Sequence, residues 1–237
     1  MTATEVGDDA AALAARQRLG PLLDRVDDPF LRAVAHLAMA WTLTIVDDLD
    51  SSLREALASL EQLRDQDEPY WTAAALLVAG LLETSLGRHD DAMGHVREGR
   101  DLMEELDIAW LDAWSRVQLG TLAGIGGRLE DARALLDEGL ELSLATHSTR
   151  TVTLCLVAFA RLALAAGDAE RPALLLGAAD GLRRRAGLRA WPTRSASTRC
   201  SPPGRGSPSG RRWPWSATGA APAPPPSELA HSDVENI

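Results

Sequence analysis

Apolar residues return at three- and four-residue steps through most of the chain, the spacing of one face of an α-helix. In AWLDAWSRVQLGTLAGI, Trp110, Ala113, Trp114, Val117 and Gly120 share such a face. After Gly126 and Gly127 a second amphipathic stretch begins, with Ala132, Leu135, Leu136 and Leu140 on its apolar side. The stretch TVTLCLVAFARLAL continues the theme, and the helical pattern persists to Ala190. From Pro192 the periodicity stops.

The pattern also repeats at longer range. GRHDDAMGHVREG, from Gly87, and GRLEDARALLDEG, from Gly127, are nearly the same phrase forty residues apart. Glycine recurs at Gly7, Gly87, Gly127 and Gly167, with Asp47 at the missing step. Five residues after each lies a small or compact residue: Ala12, Ser52, Ala92, Ala132 and Pro172. Seven residues before lies another: Ala40, Gly80, Gly120 and Ala160. Two small residues a fixed distance apart, with a glycine turn between them, predict a helical hairpin. The glycine ends one helix in a left-handed turn, and the small residues let the helix axes approach. A hairpin cannot bury its apolar face alone, so successive hairpins must stack into a solenoid.

These positions resemble the tetratricopeptide repeat. That family places a small residue on its first helix, a glycine turn seven later and alanine on the second helix. Gly80, Gly87 and Ala92 match, as do Gly120, Gly127 and Ala132, and Ala160, Gly167 and Pro172; Ala40, Asp47 and Ser52 match less well. The family's aromatic early in the first helix is replaced by His36, Leu76, Arg116 and Leu156. The period is forty rather than thirty-four, which predicts longer linking turns. The fold expected is all-α: a tetratricopeptide-like solenoid of four hairpins over residues 28–190, a partial repeat over 1–27 and a disordered tail over 191–237. Gly20 and Pro21 should break or kink the first segment.

Both ends have the look of a cut. Residues 7–12 align with the second half of a repeat. The tail, PTRSASTRCSPPGRGSPSGRRWPWSATGAAPAPPPSELAHSDVENI, holds nine of the 13 prolines and no acid before Glu228. Such a composition cannot build a core. A natural flexible tail and GC-rich DNA read out of frame both account for it. Just before it, ALLLGAADGLRRRAGLRAWP resembles a segment near the C-terminus of large actinobacterial regulators. DDPFLRAVAHLAMAWTLTIVDDLDSSLREALASLEQLR resembles their repeat arrays. Those proteins join such arrays to a P-loop ATPase and to a LuxR-type DNA-binding or a cyclase domain. The resemblance implies a non-catalytic protein-interaction or signal-receiving segment. An effector-binding segment serving a separate ATPase or cyclase, and a gene relic, are the alternatives.

Composition narrows the chemistry. All 24 basic residues are arginine, so a Walker loop, a Schiff-base lysine and a kinase lysine are excluded in their usual form. A formal charge of −10 argues against direct nucleic-acid binding. No apolar run is long enough for a membrane helix, and no secretory leader is recognisable, so the cytoplasm is the expected compartment. No cofactor or metal is expected. His36, His89, His95, His147 and His231 lack metal spacing. Asp47, Asp48, Asp90 and Asp91 sit at turns, where helix starts favour acids. GIGGR lies between helices rather than after a strand, and GSPSG has proline where a nucleophilic serine would stand. Cys155 reads as a buried thiol, and Arg183, Arg184 and Arg185 as a helix end.

In the resembling family, first helices line a concave groove. That places Trp41, Thr44, Leu77, Leu81, Thr84, Trp114, Gln118, Thr121 and Arg161 near it. Arg161 is the single basic group among them. Such a groove suits a partner helix or an apolar ligand better than an acidic tail. Exposed ends of the array would favour self-association.

Overall fold

The computed structural model describes residues 9–23, 25–45, 48–168 and 170–187, which form nine helices and no strand. They are α1 (Asp9–Leu23), α2 (Pro29–Ile45), α3 (Leu49–Leu63), α4 (Pro69–Leu86), α5 (His89–Leu106), α6 (Ala109–Ile125), α7 (Leu129–Ala145), α8 (Thr149–Ala165) and α9 (Arg171–Arg185). The chain divides into residues 1–194 and 195–237, and the second unit lies wholly outside the described residues. So do Gly7, Asp47 and His231, and with them the expectations for the tail and for the two missing turn positions.

Four hairpins, α2–α3, α4–α5, α6–α7 and α8–α9, make the most extensive contacts, and α1 packs on α2. Consecutive hairpins join through α3–α4, α5–α6 and α7–α8. First helices also meet first helices, α4 with α6 and α6 with α8, while no comparable contact joins α5 to α7. The first helices therefore form the inner wall, and the second helices splay on the outside, as in a solenoid.

The small residues do what their spacing demands. A Cβ on Gly80 would lie 2.4 Å from Val96 Cγ2 and 3.3 Å from the Ala92 carbonyl oxygen. On Gly120 it would lie 2.8 Å from Leu136 Cγ and 3.2 Å from the Ala132 carbonyl oxygen. In the first hairpin the pair is Ala40 and Ser52, whose hydroxyl donates to the Ala40 carbonyl at 2.6 Å. The last glycine of each repeated phrase is a second crossing point. A Cβ on Gly99 would meet Leu76 Cβ at 3.2 Å, and one on Gly139 would meet Val117 Cγ2 at 2.9 Å.

The turns are built alike. Gly87, Gly127 and Gly167 have φ of 80°, 78° and 84°. At Gly87 the glycine N–H donates to the Thr84 carbonyl and the Arg88 N–H to the Glu83 carbonyl, at 3.2 and 2.8 Å. The same pair of bonds recurs at Gly127 and Gly167, a Schellman closure. Between hairpins, Asp107 and His147 take φ of 50° and 53°, and Gly187, after α9, takes 66°. Left-handed residues thus mark a turn every twenty residues from position 87.

Two expectations need correcting. From α4 to α8 the added length of the repeat is not in the turns, which stay at two or three residues; it is in helices of 17 and 18 residues, while the α3–α4 and α8–α9 connections reach five. Each left-handed stop comes late, so the extra turn of the chain is spent on helix. Gly20 and Pro21 do not break α1, which runs through them to Leu23. Proline two residues from a helix end removes a single ladder bond, a smaller loss than in mid-helix.

Candidate functional site

The predicted groove residues all lie on first helices, and the structure brings two pairs of them together across helices, Trp41 with Trp114 and Leu77 with Gln118. Trp41 of α2 and Trp114 of α6 stack with centroids 6.0 Å apart and planes tilted by 31°. Arg150, in the first turn of α8, places Cζ 5.8 Å from the Trp41 ring centroid. Three first helices therefore meet at one aromatic point, and the curvature brings α2 within reach of α6 and α8. A guanidinium over an indole face gains cation–π attraction.

The polar groups around this point divide into spent and unspent. Thr84 and Thr121 are half-buried, and their hydroxyls donate to the Gly80 and Val117 carbonyls of their own helices at 2.8 and 2.7 Å. Thr44 is buried and donates to the Trp41 carbonyl at 2.6 Å. Gln118 Nε2 donates to the Leu77 carbonyl at 3.1 Å, tying α6 to α4. By contrast the Gln118 Oε1 acceptor and the Trp114 Nε1 donor are buried with no partner. They sit one helical turn apart, and each such atom costs about 1–3 kcal/mol. Leu77 is fully buried in the core, and Leu81 is half-buried.

Arg161 has an exposed surface. Neighbouring protein nevertheless shields its guanidinium from water, and this desolvation lowers its pKa. No carboxylate acts on it, and no hydrogen bond or ion pair holds it among the described residues.

Two histidine–glutamate pairs escaped sequence reasoning. His36 Nδ1 lies 2.6 Å from Glu55 Oε2, joining α2 to α3. His95 Nδ1 lies 2.8 Å from Glu83 Oε2, joining α5 to α4, with Glu83 only 3% exposed. The hydrogen bond to Glu83 raises the His95 pKa against the opposing effect of burial. The positions that replace the family's aromatic resolve into two kinds. Leu76 and Leu156 are buried, whereas His36 hydrogen-bonds Glu55 and Arg116 makes ion pairs with Asp112 at 3.1 Å and with Glu138.

The remaining candidates behave structurally. Asp48 caps α3, accepting from the Ser51 N–H at 3.2 Å. Asp90 and Asp91 lie in the first turn of α5, where Arg88 holds the cap position. Cys155 is fully buried, its thiol 3.6 Å from the Leu136 carbonyl oxygen, and burial pushes its pKa up to about 12. A thiol so shielded is no nucleophile at neutral pH. Arg183 and Arg184 pair with Asp180 at the end of α9. Among the described residues no cluster of three or more His, Cys, Asp or Glu could hold a metal, and no helix is long and apolar enough to cross a membrane.

Solved structures share this architecture. BtubC (BKLC) from P. vanneervenii matches with a TM-score of 0.55 at 19% identity, over 81% of this chain and 80% of that one. A Rap protein complexed with Competence and Sporulation Factor matches with a TM-score of 0.58 at 17% identity, over 78% of this chain and 61% of that one. The fold is a helical-repeat array. No protein-family model and no curated protein matches the sequence.

Proposed function

We propose that the array is a non-catalytic receiver of a protein or peptide signal, a segment of the kind that modular transcriptional regulators join to an ATPase or cyclase domain. The observation that carries this reading is the inner wall. Trp41 and Trp114 stack there under Arg150, and Arg161, on the same first helix as Arg150, has no hydrogen bond or ion pair among the described residues. A carboxylate or a helix C-terminus on the partner would answer Arg161. The solved Rap complex, which has a similar fold, holds a partner factor, and this favours the receiving role. The resemblance to actinobacterial regulators and the acidic, lysine-free composition favour a cytoplasmic setting without direct nucleic-acid contact.

Selection of displayed peptides on the immobilised full chain tests the reading. Selected binders should weaken about tenfold with Arg161→Gln and should weaken also with Trp41→Leu. They should be indifferent to Arg133→Gln, which lies on an outer helix. Binders that ignore both inner-wall changes would sink the proposal. So would ATP or GTP turnover that survives repeated purification.

A further inference from the structure

The outer surface carries a second feature, independent of the inner wall. Because α5 and α7 do not pack on each other, a cleft of about 360 Å³ opens between them with α6 as its floor. Arg97 and Arg100 of α5 and Arg128 at the start of α7 line its rim, while Met93, Leu119 and Leu135 line its apolar base. Three arginines at one cleft stand out in a chain of formal charge −10.

These arginines are not neutralised across the gap. Arg100 pairs with Glu104 of its own helix at 3.0 Å, and its Nε is buried without a partner. The side chains of Arg97 and Arg128 make no hydrogen bond or ion pair among the described residues. Glu138 also borders the cleft, but it is engaged by Arg116 of α6. Asp131 at the rim is the one carboxylate there not so engaged. The neighbouring gap is different: Arg64 at the end of α3 bridges to Glu98 of α5 at 3.2 Å. One outer gap is closed by a cross-pair, and the other presents a surplus of guanidinium.

Arg128 also caps α7 without a side-chain cap bond, so the helix start adds partial positive charge beside the arginines. Guanidinium groups match oxyanions in two-pronged geometry. A cleft of this size and mixed lining fits a small molecule rather than a folded surface.

We propose that the α5–α6–α7 cleft binds a small ligand bearing a phosphate or carboxylate on an apolar body, the oxyanion at Arg97, Arg100 and Arg128 and the body on Met93, Leu119 and Leu135. Titration calorimetry on the full chain tests this with phenyl phosphate and 3-phenylpropionate, and with inorganic phosphate and benzyl alcohol as the two halves alone. At least one amphiphile should bind, and the tighter of the two identifies the oxyanion. The double variant Arg97→Gln/Arg128→Gln should weaken it about tenfold or more. Ala134→Glu, at an exposed position on the rim, should abolish it while circular dichroism stays unchanged. Absence of binding at about 10 mM of either amphiphile, a limit set by the weakest useful affinities, would overturn the proposal. So would unchanged affinity in the double variant, or equal binding by inorganic phosphate or benzyl alcohol alone.

Discussion

The middle of the array and its last described hairpin use the same small-residue register with different results. In α4–α5 and α6–α7, every register glycine within a helix is pressed against a neighbour. Gly80, Gly99, Gly120 and Gly139 all lie where a Cβ would be 3.2 Å or less from a side chain opposite. The contacts at Gly80 and Gly99 lie within an apolar core that runs from α2 to α6, while those at Gly120 and Gly139 fall on Leu136 and Val117, in a smaller cluster shared with Cys155 and Ala158 of α8. In α8–α9 the register residues are Ala160 and Pro172, both buried, but the glycines of α9, Gly177 and Gly181, have nothing within 4 Å of an added Cβ. The core between α8 and α9 is a small separate cluster of Leu156, Ala160, Leu175 and Ala179, and Leu174 is 74% exposed. A glycine in a repeat is therefore informative only through what opposes it. The same residue is a contact in one hairpin and a weakness in the next.

Substitutions can break this contrast. Gly120→Leu should cost about 2–4 kcal/mol, because the leucine meets Leu136 and backbone with no free rotamer. Gly177→Leu, on an open helix face, should cost less than about 0.5 kcal/mol. Equal urea midpoints for the two would remove the distinction. Gly139→Ala should cost about 1–2 kcal/mol, since Val117 must shift against its own backbone. Gly181→Ala should go the other way and raise stability by about 0.5–1 kcal/mol through helix propensity alone. Arg128→Ala should leave stability within about 0.5 kcal/mol.

The His95–Glu83 pair sharpens the comparison through pH. His95 has its folded-state pKa raised, so its contribution is full below the unfolded value and is lost as pH rises through the folded value. The melting temperature of the natural chain should exceed that of His95→Gln more at about pH 6 than at about pH 9. A difference that grows with pH would show that the histidine packs neutral and that the ion pair adds nothing.

The register was legible because steric exclusion leaves a mark in residue type. Only glycine, alanine or serine fits at positions 40, 52, 80, 92, 120 and 132, so the mark survives in the chain. Cys155 was legible in the same way, from its place on an apolar face. The turns at Asp107 and His147 were not, because neither residue advertises a left-handed backbone as glycine does. The histidine–glutamate pairs were hidden for another reason. Each joins two helices, and a fraction of a turn about either axis would separate the partners. Nothing in the residue types at 83 and 95 distinguishes them from a surface glutamate and a surface histidine. The candidate groove residues were named from the family's geometry, but their distribution between core and surface, with Leu77, Trp114 and Gln118 buried and Arg161 exposed, followed from packing. Curvature lets Trp41 reach Trp114 across the intervening helix.

The left-handed turns at positions 87, 107, 127, 147, 167 and 187 also set how the array answers tension. A β-sandwich pulled from its ends must shear a ladder all at once, whereas this chain offers only stacked hairpins that peel in turn. Each hairpin spans forty residues between equivalent turns, so each release should lengthen the chain by about 13–14 nm before the folded width is subtracted. The extension trace should be a low staircase, with its tallest step at the hairpins locked by Gly80 and Gly120.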